Sequence, residues 1–241
     1  MKFEVLTFLA MKRSVLFLVA AILLGVGLQS CDRKNNNGDN NSSVKWVDLG
    51  LPSGLLWADR NVGASSPEDY GNYYAWGETV SKEVYDWTTY AYGNNYDQLT
   101  KYCDGSDYGL DGFTDNLTTL QASDDAATAN FGGKARTPTR DEWEELLSQT
   151  TYGMVSCNGV RGLLLTGRNG KLLFLPAAGF RAGSNLIFAG EDGDYWSSTL
   201  YTGYPDHAWG FCFDSDDQRM SYTGGYRDDG FSVRAVRASQ N

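Results

Sequence analysis

The sequence predicts an α+β fold of short, mostly antiparallel strands, two to three short helices and long irregular loops. Three observations predict it. The apolar runs are short and alternate with polar residues, as half-buried strands require. Few segments carry a helical apolar stripe behind a capping residue. The spacers are rich in Gly, Asp and Tyr, with 28 glycines and 15 tyrosines in 241 residues, a composition that favours turns over long helices.

In chain order, VKWVDLGL at 44–51 alternates apolar and polar side chains and predicts the first strand. Ser66-Pro67-Glu68-Asp69 has the form of a helix start: a capping Ser, a Pro in the first turn and acids at the positive end of the dipole. Gly71 keeps that helix short or distorted. Asp124 and Asp125 predict a cap for AATANF, closed by Gly132 and Gly133. The clearest helix opens at Thr139, where Glu142 completes a capping box and Trp143, Leu146 and Leu147 form the buried stripe. Arg161–Arg168 and Lys171–Leu175 predict a hairpin, with Asn169-Gly170 supplying a type I′ turn. YWSSTL at 195–200, HAWGFCFD at 207–214 and FSVRAVR at 231–237 predict three late strands. Within HAWGFCFD, alternation puts His207, Trp209, Phe211 and Phe213 on one face, and this bulky set is assigned to the core.

Residues 1–30 have the layout of an export signal. Lys12 and Arg13 precede the apolar SVLFLVAAILLGVGLQS, which is too short to serve as a membrane span, and Met11 is the better start. Leu28-Gln29-Ser30-Cys31 resembles the lipobox of bacterial lipoproteins, which implies a lipid on Cys31. That lipid would tether the chain to a bacterial (outer) membrane, at the cell surface. Residues 31–43 then form the lipidated Cys and a polar tether that cannot order itself by burial. Residues 44–241 suit one domain. The formal charge is −10, and it becomes more negative once Lys2, Lys12 and Arg13 are removed against Glu4. Nucleic acid is therefore excluded as a partner.

The blocks VDLGLPSGLLWADRNVGA, GNYYAWGE, DDAATANFGGKARTPTRDEWEELL, LFLPAAGFR, GDYWSST and GFSVRAVR together resemble the FISUMP family of secreted bacterial domains, from about Val44 to Arg237. That family is similar to formylglycine-generating enzymes and, more distantly, to C-type lectins. The resemblance implies a C-type lectin-like fold with two flanking helices and a large irregular region on one side. It also implies that the strand near Val44 pairs with the one near Val233.

The resemblance does not bring an activity with it. Formylglycine formation needs a pair of late cysteines as soft copper or redox ligands, and no Cys follows Cys212. His207 is the only His, which excludes His-based metal triads, and no Gly-x-Ser-x-Gly elbow occurs. The chain is expected not to be an enzyme. No cofactor is required, and calcium is the one structural candidate: Asp104, Asp107, Asp111 and Asp115 offer hard oxygen ligands in CDGSDYGLDGFTD, although the spacing fails the EF-hand pattern. Calcium-mediated sugar binding is not implied, since only Tyr204-Pro205-Asp206 stands near the lectin motif. Among Cys103, Cys157 and Cys212 three pairings are open, and at least one thiol must remain.

Recognition by the late loops is what the residues leave. Tyr201, Tyr204, Asp206, His207, Asp214, Asp216, Asp217, Tyr222, Tyr226, Arg227, Asp228 and Asp229 are the candidate ligand-binding residues, since Tyr offers a wide contact at low entropy cost and Asp adds polar contacts. The expected function is a membrane-anchored, non-catalytic binding lipoprotein with a glycan or protein ligand. An architectural or adhesive subunit of a surface assembly is the alternative. The stretch also resembles the C-terminal variable regions of proteins diversified by retroelements, whose adenine mutagenesis yields Asp and Tyr but not Glu or Lys. Between Tyr201 and Asp229 there are six Asp, no Glu and no Lys.

Overall fold

A computed structural model describes residues 43–214, 217–221 and 225–239. The chain is α+β, with mostly antiparallel strands and two α-helices among the described residues. The expected export segment, Cys31 and most of the expected tether lie outside the described residues, as do Asp216 and Tyr222.

Strand β1 (Trp46–Asp48) pairs antiparallel with β2 (Leu55–Asn61), Trp46 opposite Ala58. Asp48 Oδ1 accepts the Gly50 amide at 2.8 Å and turns the chain, so the strand ends earlier than its alternation suggests. The last strand, β13 (Arg234–Ala238), pairs with β2 and not with β1, Val236 opposite Trp57. The implied Val44–Val233 pairing is thus corrected: both terminal strands share a three-stranded sheet, with β2 between them. The short β1–β2 connection closes cheaply and leaves the far edge of β2 to the strand that arrives last.

Ser66-Pro67-Glu68-Asp69 does not start a helix. Asp69 folds back to accept the Ser65 amide at 2.8 Å and the Gly71 amide at 3.2 Å, a turn that competes with the helix it would begin. Gly71 sits at φ +72, where a Cβ would lie 2.5 Å from the Val62 carbonyl oxygen. The chain therefore returns at once to β3 (Tyr73–Tyr74).

The other two helices form as expected. In α1 (Ala126–Phe131) Asp125 caps the amides of Ala127 and Thr128, and Gly132 at φ +69 ends the helix. In α2 (Arg140–Gln149) Thr139 and Glu142 make the full capping box, and Arg136 clamps Glu142 from outside. Trp143 of α2 is the centre of the core: it stacks on Phe211 at 4.9 Å, meets Trp57 at 4.7 Å and donates its indole N–H to the Trp196 carbonyl at 3.2 Å.

Strands β4 (Thr151–Cys157), β5 (Val160–Thr166) and β6 (Leu172–Pro176) form a meander. The β5–β6 hairpin is present, but its turn is not type I′. Thr166 pairs with Leu172, Gly167 and Lys171 close the loop, and only Gly170 has positive φ, so the connection is a longer loop with one left-handed glycine. After the hairpin of β7 (Phe180–Ala182) and β8 (Asn185–Ile187), the chain enters β9 (Gly193–Leu200), β10 (Ala208–Phe213), β11 (Gln218–Ser221) and β12 (Phe231–Ser232). These build a five-stranded sheet in the order β11-β10-β9-β12-β3, parallel only between β12 and β9. A second aromatic cluster fills its other face, with Trp196 stacked on Phe231 at 4.0 Å. Cys103 and Cys212 keep their thiols, so none of the three pairings among Cys103, Cys157 and Cys212 forms.

Candidate functional site: an aromatic ladder at one end of β10

Between Ala208 and Gly210 the β9–β10 register shifts. A bulge of this kind changes the parity of a strand. Ala208, Gly210, Phe211 and Phe213 are buried, while Trp209 is thrown to the half-exposed side. The assignment of Trp209 to the core is corrected: its ring lies under the Arg140 guanidinium at 4.2 Å and edge-on to Tyr201 at 5.1 Å. Tyr201 stacks on Tyr204 at 5.8 Å and 16°, and Tyr204 meets Tyr108 at 6.2 Å and 72°. Arg140 is oriented by Glu144, at 2.7 Å. Arg140, Trp209, Tyr201, Tyr204 and Tyr108 thus form a continuous ladder, with Tyr204 54% exposed.

Asp104 holds one end of this ladder in place. Its Oδ2 accepts the Gly203 amide at 3.0 Å, tying the 104–108 loop to the 201–206 turn. Asp206 is buried beneath that turn, and the Nδ1 of His207 stands 3.0 Å from its Oδ1, within ion-pair distance but outside hydrogen-bond alignment. The His207 ring packs on Tyr226 at 4.2 Å, and Tyr226 is 47% exposed.

Of the sequence-predicted residues, Tyr201, Tyr204, His207 and Tyr226 reach this surface. Asp214 and Asp217 do not: they close the β10–β11 turn, where Asp214 Oδ1 accepts the Asp217 amide at 2.9 Å. Four residues of β10, Gly210–Phe213, separate Asp214 from Trp209 of the ladder, about 17 Å at a strand's rise. Arg227 is fully buried and structural, donating to the carbonyls of Lys101, Tyr102 and Pro205 and to the Tyr90 hydroxyl. Asp228 is also buried, and Asp229 is half-buried. These corrections share one cause: side chains of a tight turn point inward as often as outward, and sequence spacing does not say which.

The four calcium candidates do not converge. Asp115 accepts the amides of Tyr102, Cys103 and Leu117, Asp104 holds Gly203, and Asp107 and Asp111 point to solvent. Among the described residues no three acidic, Cys or His side chains form a metal-holding group. Tyr108, Trp209 and Arg140 were missed as site residues. Tyr108 stood inside the Asp-rich loop, where the tyrosine was a legible signal, whereas the bulge that exposes Trp209 has no sequence signature.

A groove of about 390 Å³ lies between the 77–82 and 89–92 segments. Its cation is already committed, since Lys82 pairs with Glu78 at 2.9 Å, donates to the Thr89 carbonyl and lies over Tyr85 and Tyr90. The ladder is the better candidate.

Burial pushes the Asp228 carboxyl up to about 6 and the Asp194 carboxyl up to about 6; burial and then the neighbouring Asp228 and Asp194 push Asp229 up to about 8. Groups whose folded pKa is raised stabilise the fold below their unfolded value, near 3.9, and lose that contribution as pH rises through the folded value. The chain is therefore expected to melt higher at pH 5 than at pH 8, by about 3 °C or more. Asp229→Asn should flatten the profile between pH 6 and 8. Thermal melts of both proteins across that range check it, and a wild-type profile flat from 5 to 8 refutes it. Below about pH 4 the trend reverses, because Glu142 and Asp124 are held below their usual range by Arg136 and by Lys101 against the effect of burial.

No family model matches the chain, and neither does any curated protein or solved structure.

Proposed function

We propose that this chain is an exported, lipid-anchored recognition module that binds a glycan without catalysis. The observation that carries the proposal is the ladder Arg140–Trp209–Tyr201–Tyr204–Tyr108, in which the Tyr204 ring is exposed. Sugar C–H faces stack on such rings, and sugar hydroxyls match the Asp, Arg and Tyr groups beside them. The anchoring rests on the lipobox at Cys31. The resemblance to FISUMP domains and a C-type lectin-like fold accords with the α+β architecture and with the terminal strands sharing one sheet, and it belongs to the same proposal.

A glycan array probed with the purified chain tests the function. Tyr204→Ala together with Tyr226→Ala is expected to abolish the array signal, about 1–3 kcal/mol of binding at each lost ring, with an unchanged melting temperature. Binding that survives the double substitution sinks the proposal. A second reading, an architectural or adhesive subunit, is favoured by Leu186 and Phe188 at the β7–β8 hairpin, 41% and 52% exposed. That reading predicts silent arrays and a co-purifying protein partner lost on Phe188→Ser. Retroelement diversification of the 201–229 stretch predicts a reverse transcriptase gene and an adenine-differing near-copy of the 3′ end beside this gene.

A further inference from the structure

We infer that the corner between Tyr108 and Tyr204 receives an ammonium group, and that the glycan bound by the ladder therefore presents an unacetylated amino sugar. The inference rests on the glycan reading above and deepens it.

Geometry comes first. Tyr201 and Tyr204 lie nearly parallel, but Tyr108 stands at 72° to Tyr204, 6.2 Å away. Two rings set close to a right angle can both turn their negative faces toward one small volume, which is the arrangement that holds an organic cation. Tyr204 is 54% exposed and Tyr108 half-exposed, so this corner is open to solvent.

The charges around the corner agree. Behind burial, the Tyr108 hydroxyl is pushed up by Asp206, Tyr204, Asp107 and Tyr96, which places two carboxylates within electrostatic reach of the ring. Asp107 is exposed, while Asp206 is 6% exposed and its Oδ1 has no aligned hydrogen-bond donor, with only the His207 Nδ1 close by. Asp104 stands at the base of the same loop. A negative field focused on two aromatic faces selects for positive charge.

The rest of the molecule shows what such sites look like when filled. Lys82, Lys101, Arg181, Arg227 and Arg237 each lie over tyrosine or tryptophan rings, and Arg140 covers the Trp209 end of the ladder. Among the described residues, none of the chain's own cations lies over Tyr108 or Tyr204. The ladder thus has one end where a cation is built in and another, acidic end where it must come from the ligand. A pyranose stacked on Tyr204 would bring an amino substituent to Tyr108.

Monovalent probes avoid non-specific attraction to an acidic protein. NMR titrations of the full-length chain in mild detergent would compare methyl β-glucosaminide, methyl β-N-acetylglucosaminide and methyl β-glucoside, with N-acetyl-lysine methylamide as the non-sugar ammonium. The glucosaminide is expected to bind about tenfold more tightly than either neutral sugar, and more tightly than the lysine derivative. The preference should shrink in high salt and in Asp107→Asn, vanish in Tyr108→Leu and persist in Tyr108→Phe, with melting unchanged in all three. Equal binding of the three sugars, lost in Tyr204→Ala, overturns the ammonium assignment while leaving the glycan reading intact. Binding of the lysine derivative as tight as that of the glucosaminide overturns the amino-sugar assignment. A silent glycan array together with no probe binding removes the glycan reading itself.

Discussion

Arg227→Met is expected to destabilise the domain by about 3–5 kcal/mol and to lower its melting temperature by about 10 °C. The guanidinium of Arg227 is fully buried, and its partners are the carbonyls of Tyr102 at 2.9 Å, Pro205 at 2.7 Å and Lys101 at 3.0 Å, with the Tyr90 hydroxyl at 2.9 Å. It is sandwiched among the rings of Trp76, Tyr90 and Tyr102 at 5.1–6.0 Å. Met fills much of the stem volume but supplies no donor, so three carbonyls in a low-dielectric interior are left unmatched. Arg227→Lys should recover less than half of the loss, because one ammonium cannot span a planar fork of partners. The effect should also reach the ladder. Pro205 and the 101–103 segment flank Tyr204 and Asp104, so ligand binding should weaken together with stability. Denaturant melts and array binding on the same samples check this. A variant that loses binding at unchanged stability would make Arg227 a ligand contact instead.

Trp143→Ala is the second large effect, with an expected cost of about 3–5 kcal/mol. The indole is wholly buried and joins α2 to β2, β9 and β10 through Trp57, Tyr195 and Phe211. Its truncation opens a cavity among rigid rings that cannot collapse into it, and it strips the Trp196 carbonyl of its donor. Trp143→Phe should cost about 1–2 kcal/mol, since stacking on Phe211 survives and the N–H does not. Urea titration with the slope held constant measures both, and a cost below 1 kcal/mol for the alanine variant would mean that the core repacks.

Both residues show how legible the fold was. Trp143 followed from a capping box and a helical stripe, signals that depend on neighbours three and four residues away. Arg227 did not follow. It lies in a polar turn beside two aspartates, where a basic residue reads as surface, and its burial depends on carbonyls more than 100 residues earlier and on one 22 residues away. The aborted helix at Ser66 failed for a related reason: its cap and Pro were correct, but Asp69 had closer amides to serve.

The sequence by itself determined the α+β class, the two capped helices, the late strands and the tyrosine-rich character of the 201–226 surface, because alternation, caps and turn residues act over a few positions. Only the tertiary structure decided which of those tyrosines line up. The bulge at Trp209 reversed a strand's parity, Asp104 drew Tyr108 across from a distant loop, and β2 came between the first strand and the last. Each of these turns on contacts between segments far apart in the chain, whose outcome depends on what the intervening residues bury.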